Sequence, residues 1–322
     1  MSSKHHRKAR IKMLGSLIGI LFAVLPFQNC TQFKYDPKLK TTSLMPASMT
    51  LPPSENLDSS PSLDLTNETP SLPSFDSSPT GTRLLPRDLI DLSVHKLTLP
   101  VNKNGEPFGT AYTVQTNELL GGYTSPYFYV SDDFAVVFHT PSNGATTTPG
   151  QGSDHTRSEL REIYTASDAI GNKEWSTNFE DSSGGEMTGD LRIDSVAQLA
   201  SGVIFGQIHG TGGAAFVLLV YRTSSKRVDM KIYDTPSMSS ATTYVLARNV
   251  NLGDRFKYRL SFTNDKVVGE IIGQTPVVAT VDPQWVTFPV HFAAGAYHSV
   301  NNTGNADGDA TQVSYFTLDI KH

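Results

Sequence analysis

Three charged residues at alternate positions, Arg157, Glu159 and Arg161, lie in the stretch DHTRSELREI. Successive side chains of a β-strand point to opposite faces, so these three would share one face of a strand. Two guanidinium groups that flank a carboxylate could bind an anionic ligand through planar sets of hydrogen-bond donors. Taken alone, the stretch also fits a solvated strand face whose charges pair with one another.

Two further stretches carry polar residues at strand spacing. In GQIHG, positions 206–210, Gln207 and His209 would lie on one face of a strand. In HFAAGAYHS, positions 291–299, small residues at alternate positions lead to Tyr297. An amide, an imidazole and a phenol can donate and transfer protons, while small residues leave space above a sheet for a ligand.

The pattern of apolar runs and turn residues from residue 88 onward predicts an all-β fold. Short apolar or alternating runs recur, such as AFVLLVYR and RVDMKIY, and turn sequences such as GTGG and TNDK separate them. No helical pattern occurs between the runs, which argues against a doubly wound α/β fold. We expect a β-jelly roll sandwich of two antiparallel sheets with a concave substrate groove.

The three stretches together resemble the signature segments of the alginate lyase family 7 type, a family of jelly-roll polysaccharide lyases. RSELRE and QIH match the first two segments closely, and the order and spacing agree over residues 88–322. The third segment departs from the family pattern Tyr-Phe-Lys-Ala-Gly-x-Tyr-Asn-Gln. Here His291, Ala293, His298 and Ser299 replace its first Tyr, Lys, Asn and Gln, whereas Tyr297 is kept.

The resemblance implies cleavage of a uronate polymer, most readily alginate, by β-elimination without a metal or other cofactor. Loss of the C5 proton builds negative charge on the neighbouring carboxylate, which Arg157 and Gln207 would stabilise. His209, with a reference pKa of about 6.5, suits a base at working pH. Tyr297 would protonate the leaving O4, and could also take the C5 proton when both lie on one side of the sugar.

The same resemblance assigns Arg161 and Glu159 to substrate binding. Arg161 would line the groove beside neighbouring uronates. Glu159 would orient the two arginines rather than act as a base, because an ionised carboxylate repels an anionic substrate.

The N-terminus predicts export. Five basic residues precede an apolar run from Met13 to Pro26, which is too short to span a bilayer, so residues 1–29 fit an export signal. Cys30 is the only cysteine and follows this run, so we expect it to be acylated, with the chain anchored to the cell envelope as a lipoprotein. An ordinary cleaved signal or an uncleaved anchor with an incidental thiol is the alternative.

Residues 30–87 are expected to form a disordered tether, because residues 31–86 hold nine prolines and ten serines but three aromatic residues. Without residues 1–29 the chain has 21 basic and 31 acidic residues, a net charge of −10. This charge argues against nucleic acid as a partner, so an anionic polysaccharide must meet a local cationic site. We expect a monomer.

Two alternatives to an alginate lyase stay open because of the altered third segment. The chain could be a lyase for another polyuronate such as glucuronan. It could also be a non-catalytic glycan-binding lipoprotein on the same scaffold, since a shared fold does not fix the chemistry.

Overall fold

The computed structural model describes residues 84–147, 155–171, 173–177, 184–198, 200–301 and 308–322. The predicted export signal, Cys30 and residues 30–83 of the predicted tether lie outside these ranges. Of the last residues of the predicted tether, 84 and 85 precede a 3₁₀ turn at Pro86–Asp88, and 86 and 87 belong to it. Pro86 is buried.

Fifteen strands and two short helices make up the regular structure of the described residues. They are β1 (His95–Thr98), β2 (Thr113–Val114), α1 (Thr116–Leu120), β3 (Phe128–Val130), β4 (Val136–Pro141), β5 (His155–Glu162), β6 (Gly185–Ser195), β7 (Gly202–Gly210), β8 (Ala215–Arg222), β9 (Arg227–Tyr233), β10 (Ala241–Arg248), β11 (Arg255–Thr263), β12 (Lys266–Ile271), β13 (Val277–Thr280), α2 (Pro283–Val286), β14 (Val290–Asn301) and β15 (Ala310–Lys321). A 3₁₀ turn at Thr211–Gly213 joins β7 to β8.

Two antiparallel sheets form the fold, as the sequence predicts. The eight-stranded sheet has the order β10-β9-β8-β7-β14-β5-β1-β2, and the seven-stranded sheet has the order β13-β12-β11-β6-β15-β4-β3. The chain moves between the sheets several times, so β14 lies between β7 and β5 while β15 lies between β6 and β4. This interleaving of distant segments is typical of a jelly roll.

The main core fills the space between the sheets. Alternating apolar residues on facing strands, among them Phe205, Ile208 and Phe292 from the first sheet and Tyr258 and Tyr315 from the second, belong to one buried cluster. Strand periodicity explains most of this arrangement, because every second residue of a central strand lies on the core side. In β7 a register shift between Ile204 and Gly206 changes the phase, so that Phe205 and Ile208 both lie in the core. The intervening residues of the eight-stranded sheet lie on its other face, which we call the site face.

Two side chains of the seven-stranded sheet, Tyr315 and Thr140, form hydrogen bonds across the core with central strands of the other sheet. The Tyr315 hydroxyl of β15 donates to the carbonyl oxygen of Phe205, where the pairing of β7 with β8 shifts register. Thr140 Oγ1 of β4 donates to the Ala296 carbonyl at 2.9 Å and accepts from the Ser158 amide at 2.9 Å. Both contacts satisfy backbone groups in the buried interior, where an unpaired group is costly.

Within the described ranges, no helix combines the length and the apolar character needed to cross a bilayer.

Replacing Thr140 by valine should destabilise the fold without changing its shape. The substitution keeps the volume of the side chain but leaves the Ala296 carbonyl and the Ser158 amide without this partner. We expect a loss of about 1–3 kcal/mol in the free energy of unfolding. Urea denaturation of Thr140→Val, compared with Thr243→Val at an exposed position of β10, measures it. Equal midpoints for the two variants would contradict the inter-sheet role.

Candidate active site

The three sequence stretches form adjacent strands at the centre of the eight-stranded sheet. Strand β14 pairs with β5 so that Tyr297 lies opposite Arg157 and Ala293 opposite Arg161. On its other side, β14 pairs with β7 so that Ala293 also lies opposite Gln207. Neighbouring strands are about 4.8 Å apart, so the polar side chains of the three strands converge on the site face.

Burial shows which face each residue occupies. Ile208, Phe292, Ala294 and Ala296 belong to the main core cluster. Tyr297 belongs instead to a second, smaller apolar cluster on the site face, whose other members are Ile204, Ala215, Leu218 and Val220. The predicted alternation of Gln207, Ile208 and His209 and of the residues 292–297 of β14 therefore agrees with the structure, whereas a register shift between Ile204 and Gly206 interrupts the alternation earlier in β7.

A hydrogen bond between Glu159 and Gln207 spans the middle strand. Gln207 Nε2 of β7 donates to Glu159 Oε1 of β5, although β14 lies between these strands. The residues of β14 opposite them are Ala293 and Gly295, which have almost no side chain to obstruct the contact. The small residues of the third segment therefore allow two functional side chains to meet above it.

Position 295 requires a glycine for two reasons, its backbone conformation and the lack of space for a side chain. Its φ is +153°, and a Cβ built there would lie 2.4 Å from the Ser158 carbonyl oxygen and 2.7 Å from Glu159 Cα. No side chain fits at these distances, so any other residue would push β14 away from β5.

Arg157 contacts both the tyrosine and the carboxylate. Its Cζ lies 3.9 Å from the centroid of the Tyr297 ring, and its Nη1 lies 3.2 Å from Glu159 Oε2. The first contact is a cation–π interaction, which fixes the plane of the guanidinium over the phenol ring. Burial raises the pKa of Glu159, whereas the charge of Arg157 and the Gln207 hydrogen bond oppose this rise.

Arg161 has a different carboxylate partner from the one that the sequence suggests. Its Nη2 lies 2.9 Å from Oε1 of Glu174, a residue on the segment 173–177. Glu159 contacts Arg157 and Gln207, so it orients one arginine and not two. Glu159 is also 5% exposed, which leaves little of its surface for a substrate.

His209 has a fixed tautomer and a low proton affinity. Its Nδ1 lies 2.9 Å from the carbonyl oxygen of Gly210, which can only accept, so Nδ1 carries the proton and Nε2 the lone pair. Burial lowers the pKa of His209 to about 3, and repulsion from Arg157, and from His291 when it is protonated, acts in the same direction. The imidazole is therefore neutral at neutral pH, but it accepts a proton less readily than the reference pKa of about 6.5 used in the sequence-based prediction implies.

His291 lies beside His209 on the neighbouring strand. The two residues are paired across β14 and β7, and their ring centroids are 5.4 Å apart. His291 Nδ1 lies 3.2 Å from Glu174 Oε1. Burial lowers the pKa of His291, while its contact with Glu174 opposes the change.

The other replacement histidine, His298, lies on the core side of β14. It is fully buried, and its Nε2 donates to the Thr140 carbonyl at 2.7 Å. Burial lowers its pKa to about 4. His298 therefore supports the inter-sheet packing near Tyr297 and does not line the site face.

Cationic residues extend the site face on both sides of the centre. The cross-strand row that contains Gln207 and Ala293 continues through Arg161 to Lys96 on β1. In the other direction it continues through Leu218 to Lys231 on β9, whose Nζ lies 4.4 Å from the centroid of the Tyr233 ring. From Lys96 to Lys231 this row crosses six strands, with a cation on each side of the centre.

The structure thus brings together Arg157, Glu159, Arg161, Gln207, His209 and Tyr297 on one face, as the sequence predicts. Sequence reasoning missed Glu174, and it noted His291 as a departure without seeing that it contacts Glu174. Glu174 lies in a segment without strand alternation, so no pattern marked it. Within the described ranges, no group of three or more histidine, cysteine or acidic residues could hold a metal ion.

Comparisons with known proteins agree with this geometry. A family model described as alginate lyase matches residues 90–322. No curated protein matches the chain. The crystal structure of an alginate lyase from Pseudomonas aeruginosa is similar, with 28% identity and a TM-score of 0.61 over 72% of this chain and 99% of that one.

Two further solved structures share the fold. An alginate lyase from Klebsiella pneumoniae is 24% identical, with a TM-score of 0.62 over 74% of this chain and 99% of that one. A variant of the family 7 alginate lyase A1-II′ in complex with substrate is 23% identical, with a TM-score of 0.61 over 74% of this chain and 96% of that one.

The low proton affinity of His209 should make folding stability depend on pH. Its pKa is about 3 in the folded protein, against about 6.5 in an unfolded chain. Below about pH 6.5 the unfolded state therefore binds more protons, and stability is lost as the pH falls towards 3. We expect His209→Gln to lose less thermal stability than the wild type between pH 7.5 and pH 4.5. Thermal melts at both pH values measure this, and parallel losses in the two proteins would contradict it.

Proposed function

The chain is a polysaccharide lyase of the alginate lyase family, and we propose that it cleaves alginate by β-elimination with Arg157, Gln207, His209 and Tyr297 acting on the sugar. The observation that carries the proposal is the stacking of the Arg157 guanidinium on the Tyr297 ring, on the same face as the neutral imidazole of His209. This arrangement places a cation, a phenol and a neutral imidazole on one face. The carboxylate that contacts Arg157, Glu159, is nearly inaccessible and so does not repel an anionic substrate. It suits a substrate whose reacting carbon lies beside a carboxylate.

The first step removes the proton from C5 of a uronate. The C5–H electron pair moves into the carboxylate, which becomes a dianionic enolate, and the proton goes to His209 Nε2 or to the Tyr297 oxygen. Arg157 neutralises part of the new charge, and a fixed donor in a water-poor site does this better than solvent. Arg157 also stabilises negative charge on the phenol when Tyr297 acts as the base.

The second step expels the leaving sugar. The enolate electrons form the C4–C5 double bond, the C4–O4 bond breaks, and O4 takes a proton from Tyr297. The products are a fragment with a 4,5-unsaturated uronate at its new non-reducing end and a fragment with a free anomeric hydroxyl at its new reducing end. No redox partner is needed, because the electrons of the C–H bond end in the double bond. Positioned acid–base groups of this kind contribute about 10²–10⁴-fold each.

The charge pattern of the site face supports a polymeric substrate. Arg161 and Lys96 lie on one side of the centre and Lys231 on the other, along one cross-strand row. Repeated cations along a row match the repeated carboxylates of a polyuronate. Gln207 is 1% exposed, and its amide donates a hydrogen bond to Glu159. It therefore contributes in one of two ways. It either rotates to donate to a substrate carboxylate or holds Glu159 in place.

Substitutions of the three acting side chains should have graded effects. His209→Ala and Tyr297→Phe should abolish turnover while leaving the fold and much of the binding, since each removes a proton-transfer group. Arg157→Ala should lose both binding and rate, because the cation acts on the bound and the reacting carboxylate. Ultraviolet absorbance of the new double bond measures turnover, and calorimetry measures binding.

The same assay distinguishes the alternatives when polymannuronate, polyguluronate, mixed alginate and glucuronan are offered in parallel. Absorbance that rises with alginate supports the proposal, and a rise with glucuronan alone would change the substrate. Binding without any rise would indicate a glycan-binding protein on this scaffold. Near-normal turnover by Tyr297→Phe would refute the acid role of Tyr297.

We also propose that the chain is exported and anchored to the cell envelope through acylated Cys30. The basic residues and apolar run before the cysteine support this. In a bacterial host the full chain should fractionate with membranes, whereas Cys30→Ser should be released by high-salt washing, because the lipid provides the anchor. Equal retention of both forms would show that another segment holds the chain.

A further inference from the structure

Glu174 is a buried acid that the proposed chemistry does not use. Its side chain is 2% exposed, and one oxygen, Oε1, contacts Arg161 Nη2 at 2.9 Å and His291 Nδ1 at 3.2 Å. A buried carboxylate is costly unless it is paired, so these two contacts account for its presence. They also connect two strands of the site, because Arg161 lies on β5 and His291 on β14.

The position of Glu174 is fixed by the residue that follows it. Trp175 is 1% exposed and pairs through its backbone with Val290, at the start of β14. The Trp175 indole donates to Glu162 at 2.9 Å, and Glu162 also accepts from the Phe292 amide at 2.9 Å. Glu174 therefore projects from a segment that is anchored to both β5 and β14.

Glu174 is ionised, as its contacts with Arg161 and His291 require. Burial alone would raise the pKa of its carboxyl, but the contact with His291 and the charge of Arg161 outweigh burial and hold the pKa below its usual value. Glu174 is thus an anion at neutral pH. It attracts Arg161 and accepts the Nδ1 proton of His291.

Arg161 is the partner that remains open to the groove. Its side chain is 33% exposed, and Glu174 holds one end of its guanidinium. The planar fork has further N–H donors, and holding the long side chain in one orientation lowers the entropy cost when an anion binds.

His291 is the partner that faces the base. An acceptor at Nδ1 fixes its neutral tautomer, so its lone pair is on Nε2. Its ring lies 5.4 Å from that of His209, at an angle of 35°. The orientation of His291 therefore shapes the surroundings of His209 directly.

We propose that Glu174 is a positioning residue, which through one carboxylate oxygen holds Arg161 ready for a uronate carboxylate and holds His291 in a single tautomer against His209. The inference rests on the proposed function for the role of Arg161, whereas the His291 part rests on the structure alone. Glu174 touches neither the substrate nor the reacting atoms, so its effect is exerted through its two partners.

The test uses Glu174→Gln in the full chain, which keeps the size of the side chain and removes its charge. We expect KM for alginate to rise about tenfold with kcat changed by less than about threefold, since a hydrogen bond to a charged group is lost from the binding arginine. Glu174→Asp should recover part of the loss, because it restores the charge at a shorter reach. If kcat fell with KM unchanged, the positioning of Arg161 would be refuted.

The matched control is Glu270→Gln, which removes a carboxylate that pairs with Arg259 at 2.8 Å on the seven-stranded sheet. It tests the loss of an ion pair that lies away from the site face. We expect its KM to equal that of the wild type. A tenfold rise in the control as well would show that Glu174 acts only through general stability, and would overturn the proposal.

A spectroscopic readout tests the His291 contact without turnover. In ¹⁵N–¹H spectra of histidine side chains, the Nδ1–H signal of His291, assigned by its loss in His291→Gln, should be visible in the wild type. It should broaden through solvent exchange in Glu174→Ala, which removes the acceptor altogether. An unchanged signal would refute the contact.

Wild-type protein that binds alginate without turnover would refute the proposed function alone, and calorimetric affinities would then replace KM.

Discussion

The site depends on two functional side chains meeting across a strand that lies between them. Glu159 and Gln207 are two strands apart, and their hydrogen bond passes above β14 at Ala293 and Gly295. A larger residue at either position would occupy that space, and at Gly295 it would also collide with the backbone of β5. The bond in turn fixes the carboxylate that holds Arg157, and Arg157 lies against Tyr297. The orientation of the cation and the phenol thus follows from the absence of side-chain volume on one strand.

Buried carboxylates determine how the cations of this acidic protein are presented. Arg157 is paired with Glu159 and Arg161 with Glu174, so each arginine is oriented by an acid that is itself nearly inaccessible. Each acid is less exposed than the arginine it pairs with, so an approaching anion meets the guanidinium groups first. This explains how a chain with more acidic than basic residues can present a cationic face. Local geometry, not net charge, decides what the face attracts.

The all-β class and most strands could be predicted from alternation alone, and AFVLLVYR and RVDMKIY coincide with β8 and β9. Strand β6 was missed, because Gly185, Gly189 and Asp190 interrupt its apolar pattern. The structure shows Asp190 paired with Arg255 at 2.7 Å, so its charge is compensated by a neighbouring strand that sequence reading cannot identify. The order of strands within the sheets also lies beyond sequence reasoning, since it depends on which distant segments pair. In the site, alternation placed Gln207, His209 and Tyr297 on one face, whereas the partner of Arg161 is fixed by tertiary packing of an irregular segment.

The position of the last two strands has a consequence for how the protein is made. Strands β14 and β15 come latest among the described strands, yet each lies in the interior of its sheet, between partners that are formed much earlier in the chain. Neither sheet is continuous until these strands have left the ribosome, and their pairings close long loops, which slows folding. Because β14 is also the middle strand of the site, an incomplete chain has neither a closed core nor a functional face. The site therefore forms only after β14 has paired on both sides, and a chain truncated before β14 has no functional face.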